Sequence, residues 1–112
     1  MNAARSEADL YETFQPKEDS LFFKIGYGGI ISFHGSNCNI RKRLTSDELG
    51  DLIGDGRFLQ AASGCYVNLD KIRTIEDRFI RFGDDLTDKC IAVSARGLRR
   101  IRRALTERRA VL

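Results

Sequence analysis

The sequence predicts a mostly β domain of the α+β class, with a short helix near its middle and a longer one at its end. Three observations carry this. Short apolar runs alternate with glycine, asparagine and aspartate from Leu21 to Val93. Thr45 followed by Glu48 makes a capping box in the one stretch that breaks the β texture. Leu98, Ile101 and Leu105 then recur at i, i+3 and i+7, the spacing of one apolar stripe on an α-helix.

Taken in order, residues 1–17 read as an N-terminal extension, with Leu10, Tyr11 and Phe14 as its only apolar cluster and Pro16 at its close. The domain is expected over 18–112. Leu21 to Ile25 and Ile30 to His34 read as paired strands around a Gly26-Tyr27-Gly28-Gly29 turn, and Cys38 to Leu44 as a third strand. The helix that starts after Thr45 uses Leu49, Leu52 and Ile53 as its apolar face, with Gly54 as the expected stop. So short a helix needs packing to persist.

Arg57 to Gln60 opens the next strand, Ala61 to Gly64 reads as a small-residue loop, and Cys65 to Asn68 resumes extended structure. Asn68 suits a turn, where its side chain caps nearby backbone. Ile72 to Ile75 and Phe79 to Phe82 read as two more strands around Asp77 and Arg78, and Gly83-Asp84-Asp85 as a further turn. Ile91 to Val93 leads into the helix at Ser94 or Ala95. Phe58, Tyr66, Phe79 and Phe82 are expected in the core or in cross-strand packing.

That helix is studded with arginine at 96, 99, 100, 102, 103, 108 and 109, against the single acid Glu107. Surface charge of one sign repels itself and suits a polyanion. The chain is +3 overall, while residues 1–20 hold five acids against two bases, a net of −3; the remaining residues therefore carry +6. Positive charge belongs to the body of the domain. Lys24, Arg41, Lys42 and Arg43 suit either a phosphate-facing stripe or the protection of a strand edge.

Other chemistry finds little support. Cys38, Cys65 and Cys90 are odd in number and widely spaced, so they imply no disulfide framework. With His34 they lack the paired spacing of a zinc site, and no metal or cofactor is expected. Asp84, Asp85 and Asp88 lack the alternation of a calcium loop. Gly26-x-Gly28-Gly29 lacks the third glycine and following helix of a dinucleotide site. No nucleophile or carboxylate pair stands at catalytic spacing, so no enzyme and no small-molecule substrate are predicted. No apolar run approaches the roughly 20 residues that span a bilayer, and no signal core is present, so a cytoplasmic protein without membrane contact is expected.

The pattern Phe58-x-Gln60-x4-Cys65-Tyr66-Val67-Asn68-Leu69-Asp70-Lys71-Ile72-Arg73-x-Ile75-Glu76, then a hairpin, then Ile91-Ala92-Val93-Ser94-x-Arg96-x2-Arg99, resembles the LytTR-type DNA-binding domain of bacterial response regulators. The resemblance covers roughly residues 20–106. It implies elongated antiparallel sheets of about ten short strands, whose loops enter successive major grooves of duplex DNA.

By this resemblance Tyr27 and Gly28 lie in the first DNA-facing loop, Gln60 and Ser63 at the second, and Ser94, Arg96, Arg99 and Arg100 at the third. Arg96 takes the place of a base-reading arginine. The implied protein is a stand-alone bacterial transcriptional regulator, binding double-stranded DNA as two copies on repeated half-sites. The second loop, however, has Ala62, Ser63 and Gly64 where the family prefers histidine, then arginine or asparagine, then serine. Without those hydrogen-bonding groups base readout weakens, which leaves a second expectation, a protein-interaction module acting on a partner regulator.

Overall fold

Two antiparallel sheets built from eight strands organise the computed structural model, which describes residues 13–83 and 89–110, the last two as backbone. The chain runs α1 (Pro16–Asp19), β1 (Phe22–Ile25), β2 (Ile30–His34), β3 (Asn39–Arg43), α2 (Ser46–Gly54), β4 (Phe58–Ala62), β5 (Cys65–Asn68), β6 (Ile72–Glu76), β7 (Phe79–Phe82), β8 (Cys90–Ala92) and α3 (Ala95–Ala110). The larger sheet has the order β3-β2-β1-β5-β4, and the smaller β6-β7-β8. The α+β class holds; about ten strands were expected, and eight lie among the described residues.

Strand alternation divides the core in two. On one face of the larger sheet Phe23, Ile31, Phe33 and Phe58 pack beneath Leu52 of α2. Phe23 and Phe33 are fully buried, and each such ring contributes about 1.5–3 kcal/mol by leaving water. On the other face Phe22, Ala61, Cys65 and Val67 meet Ile80 and Phe82 of the smaller sheet and Ile101 of α3. The larger sheet is thus the middle layer. Its β4 and β5 strands are covered on that second side, whereas no residue of β2 or β3 joins that cluster.

Most of the expected elements form where their local chemistry places them. The capping box at Thr45 is complete, with Thr45 Oγ1 accepting from Glu48 N and Glu48 Oε1 accepting from Thr45 N. These bonds hold the Glu48 carboxyl below its usual range. Asn68 is buried and accepts from Asp70 N at 3.0 Å, as a turn residue should.

Four expectations need correction or qualification. Ala61 and Ala62 belong to β4, because α3 covers Ala61 and makes a small residue a packing requirement there; only Ser63 and Gly64 form the turn. Gly54 is the last helical residue and not a left-handed stop, since the chain leaves through an extended Asp55. Phe79 is 49% exposed, because the alternation of β7 turns Ile80 and Phe82 inward and Phe79 outward. Phe14, placed in the N-terminal extension, packs its ring on Phe33 at 6.1 Å. Leu10, Tyr11, Asp84, Asp85 and Asp88 lie outside the described residues.

Candidate nucleic-acid interface

Three turns stand side by side at one end of the larger sheet, joined by backbone hydrogen bonds. The first is the 3-10 turn Tyr27–Gly29, closed by Gly26 N donating to Ile30 O at 2.7 Å. Gly28 and Gly29 have φ of 69° and 79°, a left-handed conformation that costs glycine little. Between them and the sheet they leave Tyr27 98% exposed at the tip. The second turn, Ser63–Gly64, meets the first where Ile25 N donates to Gly64 O at 2.8 Å. The third, the entry to α3, meets the end of β4 where Ser94 N donates to Ala61 O at 3.2 Å.

Ser94 caps α3. Its Oγ accepts from Gly97 N at 2.9 Å, filling one of the donors a helix start leaves unsatisfied. The Ser94 amide and hydroxyl are both engaged within the fold, so this residue orients the arginine that follows it. The contact beneath is unusually close: a Cβ at Gly97 would lie 2.0 Å from the Ala61 carbonyl oxygen. Only glycine lets the first turn of α3 rest directly on the β4 backbone.

This docking sets where the arginines go. Arg96 and Arg99 are exposed and make no ion pair or hydrogen bond to any described residue. Arg100 donates from Nη1 to Gln60 O at 3.1 Å, tying the helix to the outer edge of β4. Farther along, Arg103 pairs with Glu107 at 3.3 Å and Arg108 pairs with Asp70. The sheet end therefore offers an exposed tyrosine, an exposed serine and two guanidinium groups that no described residue pairs. Arginine, serine and tyrosine side chains are among the groups that hydrogen-bond phosphates.

Comparison with protein-family models and with curated proteins finds no match. A solved structure, the LytTr DNA-binding domain of a methyl-accepting/DNA response regulator from Bacillus cereus, superposes with a TM-score of 0.58 over 81% of this chain and 84% of that one. The fold is LytTR-like. Identity between the two is 14%, so what they share is the chain path and not the side chains.

In this LytTR-like frame the residues singled out from sequence fall into two groups. Tyr27, Gly28, Ser63, Ser94 and Arg96 lie in the three adjoining turns. Arg99 and Arg100 follow on the next part of α3, and Gln60 lies inside β4, paired with Tyr66. Gly97 was missed. The sequence signal for it was a glycine in the first turn of a helix, in step with Ile101 and Leu105 on the buried side.

Cys65 is buried, and that burial pushes its thiol up from the usual range; all three described cysteines are free.

Proposed function

We propose that this chain binds duplex DNA as a bacterial transcriptional regulator, presenting its three adjoining turns to successive major grooves. The observation that carries the reading is the row of turns at one sheet end, with Arg96 and Arg99 exposed beside it and unpaired among the described residues. The LytTR-like fold supports it, because the solved domain it resembles is named for DNA binding. In this reading Arg96 contacts a base edge, Tyr27 and Ser63 contact the groove or backbone, and Arg99 contacts phosphate. Ser94, Gly97 and Arg100 hold the reading elements in place. Two copies occupy repeated half-sites, in the cytoplasm.

Fluorescence anisotropy with duplexes selected from a random library tests this. Log affinity is expected to fall linearly with log salt, by about 0.9 per phosphate neutralised. Arg96→Ala should cost about 1–3 kcal/mol on the selected duplex and relax preference at one base pair. A chain that leaves duplex DNA free even at about 50 mM salt, where phosphate contacts are strongest, ends the reading.

One observation favours a second reading. The second turn offers only Ser63 and Gly64, neither able to make a bidentate base contact. A LytTR-like module that acts on a partner regulator would bind random and selected duplexes equally weakly, and that equality would replace the first reading with this one.

A further inference from the structure

We propose that a strip of cations on the uncovered part of the larger sheet, Lys24, Arg41 and Arg43, forms a second contact with the phosphate backbone, flanking the first turn. This rests on the DNA-binding reading above and extends its footprint to one side.

The strand register fixes the geometry. Lys24 pairs with Ser32, Ser32 with Arg41, and Arg43 lies two residues further along β3, opposite Ile30. Alternation puts all three on the face that also carries Phe22 and Val67. Strand spacing separates Lys24 from Arg41 by about 10 Å, and Arg41 from Arg43 by about 7 Å. The smaller sheet and α3 cover this face over β4, β5 and the Phe22 end of β1, while Lys24, Arg41 and Arg43 are all exposed. None of them makes an ion pair or hydrogen bond with a described residue; Lys24 Nζ lies 5.9 Å from the centre of the Phe22 ring.

Three neighbouring cations with no ion-pair partner among the described residues repel one another, which calls for a reason. Edge protection explains β3, where lysine and arginine deter a foreign strand. It does not explain Lys24, which stands on β1, hydrogen-bonded to strands on both sides. A regularly charged polyanion answers all three, since each DNA strand presents one phosphate per about 3.4 Å of axis. The strip also abuts the proposed interface. Just beyond Arg43, Leu44 N donates to Gly29 O at 3.0 Å, placing the end of the strip against the first turn.

Lys42 supplies the control. It lies between Arg41 and Arg43 in sequence, yet its side chain emerges on the opposite face, beside Glu48 and Asp51 of α2. The full chain carrying Lys24→Gln, Arg41→Gln and Arg43→Gln together should keep its circular dichroism and melting temperature. On a mixed-sequence duplex of about 30 base pairs its salt slope should fall by about 2–3 relative to wild type, and its affinity at about 0.1 M salt by roughly two orders of magnitude. Its base preference should not change. Lys42→Gln should keep the wild-type slope.

A triple variant with the slope of Lys42→Gln overturns the strip while leaving the turns as the DNA contact. In that outcome the cations face another partner, such as an acidic protein. A wild-type chain that binds no duplex at any salt removes the parent reading, and the strip with it.

Discussion

Asn68 ends β5 with its carboxamide buried and its hydrogen-bonding atoms occupied. Nδ2 donates to Ser20 O at 2.9 Å and to Lys17 O at 3.2 Å, while Oδ1 accepts from Asp70 N. Asn68→Ala would leave the buried Ser20 carbonyl and the Asp70 amide without these partners, while the Lys17 carbonyl keeps its bond from Arg57 Nη1. Each such group costs about 1–3 kcal/mol. Urea unfolding is expected to show a loss of at least that size, while duplex affinity per folded molecule stays constant. A loss within about 0.5 kcal/mol, the range of an ordinary surface change, would contradict the assignment. The turn role of this residue is legible in sequence, because asparagine caps backbone two residues on. Its other partners stand 48 and 51 residues earlier in the chain, and no local pattern points to them.

At the level of elements, the seat of α3 on β4 decides where the exposed arginines lie. Two helical glycines make opposite predictions. Gly97→Ala drives a methyl group into the Ala61 carbonyl, so α3 must lift or tilt. Forced overpacking of this kind costs about 1–3 kcal/mol, occasionally more. Gly50 in α2 has nothing within 4 Å of the corresponding position, so Gly50→Ala should raise stability by roughly 0.5–1 kcal/mol. Thermal unfolding of both variants checks the pair; equal effects of the same sign would show that contact with Ala61 is not what matters.

The elements themselves were largely legible. The Thr45–Glu48 box and the apolar stripe of α3 are local patterns with local causes. The extent of β4 was not, since Ala61 and Ala62 look like loop residues until α3 is seen lying on them. The outward face of Phe79 was not legible either, since hydrophobic character gives no face when a strand is only four residues long.

For the molecule as a whole, the two sheets meet at Phe22, whose ring stacks on Phe82 at 5.5 Å and on His34 at 4.4 Å. Lys89 clamps the other side of this joint, donating from Nζ to the carbonyls of Gly35 and Cys38 and to Asn39 Oδ1. Burial, then the charges of Lys89 and Lys24, hold the His34 pKa below its ordinary value, against a hydrogen bond with Asn39 that raises it. The unfolded chain thus takes up a proton that the folded chain resists. This component of stability is complete above the unfolded value of about 6.5 and lost as pH falls through the lower folded value. Urea unfolding at neutral and mildly acid pH should show the decline, and His34→Gln should flatten it; an unchanged pH slope in that variant would rule His34 out as the source.

The order of strands was the least legible feature at this scale. Periodicity tells which side of a strand faces inward but not which strand lies beside it, and β1 finds β5 only after β2, β3, α2 and β4 intervene.

The first turn has one more implication. Its shape depends on main-chain atoms: two glycines in a mirror-image conformation, one short closing bond and the anchor from Leu44. The side chain at its summit takes no part in that construction. The summit is therefore an interchangeable tool on a fixed handle, and replacing Tyr27 alters what the molecule touches without altering how it is built.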